Sequence, residues 1–177
     1  MRRLIAVSLA AALLGSGVAC NQPKRVRATV SGEDETGLRS VLHVADPKCS
    51  VQLLRGFHEI EGNSWRWTKG RFSVTLRPPY QGEKNGAYLV VRLSVAESII
   101  KNLGPVTLTA NVNGTALPGE TFGQTGDYVY KREVPASALQ AEAVTVEFAL
   151  DKFLAAGQVE TRELGLIVAM IGFEART

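Results

Sequence analysis

From Cys49 to the end of the chain, short runs of alternating apolar and polar residues are separated by clusters of turn residues. This alternation is typical of strands with one buried face, because successive side chains of a strand point to opposite sides. After the first twenty residues no long helical periodicity interrupts the pattern. The sequence therefore predicts an all-β domain of about eight or nine antiparallel strands, packed as a two-sheet β-sandwich over residues 48–177.

Residues 65–76 carry the clearest part of this pattern, two short runs joined by Lys69-Gly70. We expect Lys69-Gly70 to form a two-residue hairpin loop. In that register Trp65 and Trp67 share one face with the apolar residues of the second run, and the other, polar face includes Arg71 and Ser73. Exposed rings would offer a platform for stacking sugars, but the register favours packing of both tryptophans in the core.

Two later features predict how the remaining strands are arranged. Asn113-Gly114 is the strongest hairpin signal in the chain, because both residues tolerate the positive φ that a tight turn requires. Residues 164–173 are apolar on both faces, so we expect this strand in the middle of a sheet. Further alternating runs predict strands at residues 89–95, 106–112, 128–134 and 144–150.

The first nineteen residues have the pattern of an export signal. Arg2 and Arg3 precede an apolar run, Leu4–Leu14, and small residues follow as far as Cys20. The apolar run is shorter than the about 20 residues that a membrane span requires. We expect residues 1–19 to be a signal helix and residues 20–47 to be a tether with one or two edge strands.

The small residues before Cys20 resemble the lipobox of bacterial lipoproteins. That resemblance implies acylation of Cys20 and a membrane anchor on the extracytoplasmic side, in the outer membrane of a diderm bacterium because Asn21 follows. Gly17-Val18-Ala19 also suits ordinary signal peptidase, which would leave a secreted or periplasmic protein. Cys49 is then either a lone buried thiol or, if Cys20 is retained unmodified, its partner in a disulfide.

Charge and motifs narrow the functional classes. The formal net charge of +3 falls to +1 once Arg2 and Arg3 are removed, so the sequence does not predict a nucleic-acid-binding protein. His43 and His58 lie in no recognisable catalytic or metal-binding motif. Glu59 and Glu61 have the spacing of a possible carboxylate pair, but a solvated edge is favoured. We expect no enzyme activity, no metal site and no cofactor.

Three segments resemble a bacterial jelly-roll domain family of galactose-binding-like character, which often accompanies glycosyltransferases and related cell-surface enzymes. The segments are residues 56–67 (GFHEIEGNSWRW), Val106–Gly114 and Arg162–Leu166 (RELGL). The similarity extends over residues 53–174. It implies jelly-roll connectivity and an accessory binding role, whereas this chain carries the module behind a signal sequence.

The sequence thus favours a non-catalytic, surface-tethered module that binds a carbohydrate or a cell-envelope glycan. An aromatic face and fixed polar groups are what sugar recognition requires. The candidate ligand-binding residues are Glu61, Arg66, Tyr128, Tyr130 and Arg162. The alternative for these residues is structural: Glu61 and Arg162 form a buried ion pair between the two most recognisable motifs, and the tyrosines cap a sheet edge. The alternative function is a structural or assembly lipoprotein that binds a protein partner through a sheet surface or edge strand.

Overall fold

The computed structural model describes residues 37–176, which form nine β-strands and four short helical segments. The strands are β1 (Val41–His43), β2 (Leu53–Glu61), β3 (Trp65–Leu76), β4 (Ala87–Val95), β5 (Val106–Val112), β6 (Thr115–Phe122), β7 (Gly126–Val134), β8 (Val144–Leu150) and β9 (Ile167–Ala175). The α-helical segments are α1 (Gly82–Asn85) and α2 (Glu97–Leu103), and 3-10 turns occupy Pro47–Gln52 and Ala136–Leu139. The expected all-β, antiparallel domain of eight or nine strands is confirmed.

All nine strands belong to one antiparallel sheet in which β3 occupies the central position. The strand order is β6-β5-β8-β3-β9-β4-β7, with β2 added beside β3 and β1 beside β9. At its start, β3 pairs with β9 through Arg66 and Trp67, whereas residues 71–76 pair with β8. Two packed sheets were expected; a single sheet is found, because one strand of twelve residues is long enough to pair with a different neighbour at each end.

The hairpin predicted at Lys69-Gly70 is wrong, because both residues lie within β3. Gly70 has a role other than turning the chain: a Cβ at this position would lie 2.1 Å from Cδ1 of Phe153, so glycine allows that ring to approach the strand. The turn falls instead between β2 and β3, where Gly62 and Asn63 have φ values of 56° and 53°. Glycine suits both a turn and the close approach of another residue, and the contact with Phe153 gives Gly70 the second of these roles.

Burial follows the predicted alternation along most strands. Trp67 is 9% exposed within the core, and the half-buried Trp65 packs edge to face on it, with ring centroids 6.4 Å apart. Deeper in the core, Phe72 stacks on Phe148 at 4.7 Å. The tryptophans therefore pack against apolar groups, as the sequence predicted, although the register that led to this prediction was wrong.

Two predicted features of strand placement are also confirmed. Asn113 and Gly114 join β5 to β6 with φ values of 48° and 87°. The last strand, β9, lies inside the sheet, with β4 along one side and both β3 and β1 along the other. Both faces of β9 are largely covered, which explains the unbroken apolar run in its sequence.

The sheet nearly closes where β6 approaches β7, and side chains hold this seam. Tyr130 Oη and Arg132 Nε both donate to the carbonyl oxygen of Pro118, each at 2.9 Å. Arg132 also donates to Gly119 O at 3.0 Å and pairs with Glu120 at 2.9 Å. No backbone pairing of β6 with β7 occurs within residues 37–176.

The predicted signal peptide, the acylated Cys20 and most of the predicted tether lie outside the described residues. Of the segment 20–47, the structure describes β1 and the start of the following 3-10 turn. Over residues 37–176, no helix is both long and apolar enough to cross a membrane.

We expect Tyr130→Phe to lower the free energy of unfolding by about 0.5–1.5 kcal/mol at pH 8, because one buried hydrogen bond is lost. Burial raises the pKa of Tyr130 to about 12. The wild-type protein should therefore lose stability from pH 10 to pH 12, where the unfolded chain ionises this phenol and the folded chain does not. Tyr130→Phe should lack that part of the loss.

Urea unfolding at pH 8 and pH 11 measures both effects. Tyr80→Phe is the matched control, because Tyr80 is 88% exposed. Equal alkaline losses in the wild type and Tyr130→Phe would contradict the assignment.

Candidate functional site

Glu61 and Arg162, two of the predicted ligand-binding residues, bind each other. Arg162 Nη1 lies 2.7 Å from Glu61 Oε1, and both side chains are about one-third exposed. Arg162 also forms two contacts with Glu160, at 2.5 and 3.2 Å. These bonds lower the pKa of the Glu160 carboxyl and raise the pKa of Arg162. The structural alternative given for this pair is therefore the arrangement found, half-exposed rather than buried.

Arg66 is likewise engaged by the protein itself. Its Nε donates to Val44 O at 2.7 Å and its Nη1 donates to His58 O at 2.8 Å. These bonds attach the segment after β1 and the middle of β2 to the start of β3. The geometry gives Arg66 a structural role.

The two tyrosines lie on β7, far from Glu61 in the strand order. Tyr130 is fully buried at the seam with β6. Tyr128 donates to Gln124 O at 3.0 Å, and its ring lies 4.8 Å from that of Phe122. Strands β4, β9 and β3 separate β7 from β2. The structure therefore does not bring the five predicted residues together in one site.

The loop between β8 and β9 is fixed against β2 and β3, and two of the three segments that carried the family resemblance, residues 56–67 and Arg162–Leu166, meet at this junction. Glu163 Oε1 accepts a bond from Gly70 N at 2.8 Å, and His58 Nε2 donates to Glu163 O at 2.6 Å. Gly165 N donates to Thr68 O at 2.7 Å. A Cβ on Gly165 would lie 2.7 Å from Lys69 O, so only glycine allows this approach. The recognisable pattern thus describes how the loop is attached.

A groove that sequence reasoning did not identify crosses the outer face of β2, β3, β8 and β5. It consists of two adjoining hollows, of about 340 and about 460 Å³, that share Arg55 and Arg71. We call it the β3 groove; its polar and aromatic lining residues are Arg55, Lys69, Arg71, Thr109, Asn111, Glu147, Phe153 and Glu163. The sequence indicated that this face of β3 is polar, but it did not indicate which strands lie beside β3.

Strand register explains the depression in this face. Ser73 pairs with Arg55 on β2 and with Glu147 on β8, and Glu147 in turn pairs with Asn111 on β5. In the next row, Arg71 pairs with Ala149, a small residue. Ser73 and Ala149, the short side chains of the two middle strands, leave the open space between Arg55, Arg71 and Glu147.

Several side chains of the β3 groove are held in place by a single bond and retain further bonding capacity. Arg55 and Glu147 form an ion pair at 2.8 Å while remaining 60% and 53% exposed. Asn111 Oδ1 accepts a bond from Gly114 N at 2.7 Å, and this bond does not use the two N–H donors of the Asn111 amide. Thr109 Oγ1 donates to Ala149 O at 3.1 Å and keeps its acceptor lone pairs.

Phe153 supplies the aromatic surface at one end of the groove. Its ring lies directly against the backbone of Gly70, and the residue is 38% exposed. Because Gly70 has no side chain, the ring is supported by β3 itself. The result is an apolar plane fixed beside charged and amide groups.

A separate hollow of about 440 Å³ lies on the outer face of β4 and β7 and includes Tyr128, one of the predicted residues. Its charged residues are Arg92 and Asp127, and the Asp127 carboxylate accepts a bond from Ser94 at 2.5 Å. Over residues 37–176, no group of three or more His, Cys, Asp and Glu side chains is placed to hold a metal ion.

Comparison with known proteins gives distant structural likenesses only. No family model matches the chain, and no curated protein matches it. One similar structure is a carbohydrate-binding module, CBM36, in complex with calcium and xylotriose (TM-score 0.36, 12% identity, 61% of this chain and 76% of that one).

Two further structures are similar at the same level. One is the CBM36-1 domain of a multidomain xylanase from the hindgut metagenome of Trinervitermes trinervoides (TM-score 0.40, 11% identity, 73% of this chain and 94% of that one). The other is an exo-β-1,3-galactanase from Phanerochaete chrysosporium with galactose (TM-score 0.35, 12% identity, 69% of this chain and 26% of that one). At these scores none of the three identifies a family or a function for this chain.

We expect Arg162→Gln to destabilise the protein near pH 7 and to reduce its loss of stability in acid. The folded-state pKa of Glu160 is held below its ordinary value, so the stabilisation is present above that ordinary value and disappears as pH falls through the folded one. Urea unfolding at pH 7 and pH 3 tests this. Arg92→Gln, a change at an exposed arginine of β4, is the control and should have the stability of the wild type at both pH values. If Arg162→Gln also has the stability of the wild type, the role of the ion pairs is contradicted.

We expect Gly56→Ala to destabilise the domain strongly. Gly56 has a φ of +77°, and a Cβ there would lie 2.1 Å from Arg71 O. The backbone conformation alone costs about 1–3 kcal/mol for a residue with a side chain. Gly123→Ala is the control, since no atom lies within 4 Å of its Cβ position. Equal free energies of unfolding in the two variants would show that the approach of β2 to β3 is not constrained as described.

Proposed function

We propose that this protein is a non-catalytic carbohydrate-binding module and that its ligand lies in the β3 groove. The observation that carries the proposal is the placement of the Phe153 ring in one hollow with Arg55 and Arg71, while Glu147 lines the adjoining hollow of the same open groove. A pyranose ring has an apolar C–H face and a rim of hydroxyl groups. It therefore suits a surface that combines one aromatic plane with several polar groups.

The fixed polar groups of the groove support a ligand rich in hydroxyls. Glu147 accepts hydrogen bonds, whereas Arg55 and Asn111 offer N–H donors. A sugar hydroxyl donates and accepts at once, so neighbouring donors and acceptors match it better than either alone. Because each side chain is already held by another bond, little rotational freedom remains to be lost on binding.

The shape of the groove favours a chain over a single sugar. It is open and crosses β2, β3, β8 and β5, four strands that span roughly 14 Å at the spacing of a β-sheet. An open groove of this length accommodates several units of a polysaccharide. The absence of an enclosing wall suits binding to an internal segment of a chain rather than its end.

The proposal extends to the parts of the sequence that precede the groove. Cys20 is acylated, and the segment 20–47, which contains strand β1, tethers a jelly-roll module to the extracytoplasmic face of a membrane. In this arrangement the module binds glycans of the cell envelope or its surroundings. The support for the anchor is the apolar run and the small residues before Cys20. Mass spectrometry of the mature N-terminus tests it.

A second candidate, an assembly role, rests on a different surface. Among the strands of residues 37–176, β2 has a neighbour on one side only, β3, and the nearby Val51 and Leu54 are 80% and 50% exposed. Such an edge suits a protein strand added beside β2. Retention of a protein partner by the Phe153→Ala variant would favour this function over carbohydrate binding.

We expect Phe153→Ala to weaken binding to polysaccharides by about tenfold, because the stacking surface is removed. Affinity electrophoresis of the purified protein in gels that contain individual plant and bacterial envelope polysaccharides measures the change. Val159→Ala is the matched control, since Val159 lies in the same loop and is 51% exposed.

The free energy of unfolding of both variants, determined in urea, separates loss of the surface from loss of the fold. The proposal is overturned if the wild-type protein binds none of the polysaccharides. It is also overturned if Phe153→Ala and Val159→Ala bind equally well while folded.

A further inference from the structure

Cationic side chains outnumber carboxylates in the β3 groove, and this excess bears on the class of ligand that the groove binds. The groove contains three cationic side chains, Arg55, Lys69 and Arg71, and two carboxylates, Glu147 and Glu163. In the hollow on the opposite face, by contrast, Arg92 and Asp127 balance. The excess of positive charge therefore distinguishes the β3 groove from that hollow.

Each of the two carboxylates of the groove has one partner within the protein. Glu147 pairs with Arg55 at 2.8 Å, and Glu163 Oε1 accepts a bond from Gly70 N at 2.8 Å. Lys69 and Arg71 are exposed, and neither forms an ion pair within residues 37–176. With Arg55 and Glu147 paired, Lys69 and Arg71 together outweigh the single charge of Glu163 and carry the excess of positive charge.

The geometry of β3 places the side chains of Lys69 and Arg71 on the same face. Lys69 and Arg71 are two residues apart on β3, so their side chains leave the same face with Cα atoms about 7 Å apart. Both line the hollow that contains Phe153. An arginine fork and a lysine ammonium beside an aromatic ring can bind an anionic group while the ring contacts the sugar.

We propose that the β3 groove binds an acidic polysaccharide, whose carboxylate or sulfate groups pair with Lys69 and Arg71. The inference rests on the proposed function, since it assigns the class of glycan to the same groove. A neutral polysaccharide would leave both cations without a partner, and a chain with an anionic group on each sugar presents one to them in any register along the groove. The groove thus selects its ligand by charge as well as by shape.

The direct test compares ligands that differ in charge and share a backbone. Polygalacturonate and its methyl-esterified form are such a pair, and isothermal titration measures their affinities for the wild-type protein. Alginate and heparin test carboxylate and sulfate groups on other backbones, and galactan and dextran are the neutral probes. We expect at least one acidic probe to bind tenfold or more tightly than every neutral one, with an affinity that falls as NaCl rises from 50 to 500 mM.

Variants assign the preference to the two cations. Arg71→Gln and Lys69→Gln should each weaken binding of the acidic probe about tenfold, and Arg71→Lys should retain most of it because the charge is kept. Arg92→Gln, on the opposite face, is the control and should bind as wild type. Unfolding in urea verifies that every variant is folded.

The possible results separate this inference from the function on which it rests. Binding of neutral polysaccharides that depends on Phe153, with no tenfold preference for any acidic probe, overturns the inference and supports the proposed function. An acidic preference that survives both Gln substitutions also overturns it. No binding to any probe overturns the two together.

Discussion

The shared hydrogen bonding of β3 is the constraint on which the rest of this structure depends. Its first residues pair with β9, its last residues pair with β8, and β2 follows it along the other edge. Phe72 and Val74 consequently point into the core while Lys69 and Arg71 point outward. Because side chains alternate along a strand, the same backbone fixes the packing inside and the charge outside. A shift of β3 by one residue would exchange the two.

The loop after β8 extends this arrangement to the surface. Arg162 bonded to Glu61 and Glu160, and Gly165 bonded to Thr68, position the loop so that Phe153 lies on Gly70. Glu61 and Arg162, two of the five candidates for ligand binding, therefore have an indirect role: they hold the loop that supplies an aromatic ring. A recognisable sequence pattern in a β-domain can report such an attachment, since close backbone approaches demand particular residue types.

The sequence pattern correctly predicted the features that are determined by residues close together in the chain. The alternation of residues 89–95 gave a half-buried strand, and Asn113-Gly114 gave a turn, because each depends on neighbours within the same segment. Gly70 was misread because its role is decided by Phe153, a residue remote in sequence. The β3 groove was missed for a related reason: Arg71 and Ser73 read as a polar face, but the depression arises only when β8 and β5 bring Ala149 and Asn111 beside them. The pairing of Glu61 with Arg162 was recognisable as an alternative from their opposite charges.

The seam between β6 and β7 gives the sheet a freedom that backbone pairing would deny it. Tyr130 and Arg132 bridge the seam through contacts with Pro118 and Gly119, so the distance between the two strands is set by side chains with several rotatable bonds. The circumference of the sheet can change by a rearrangement of these side chains, without the loss of any strand pair. Since β5 and β8 lie between the seam and β3, such a change alters the curvature of the groove face.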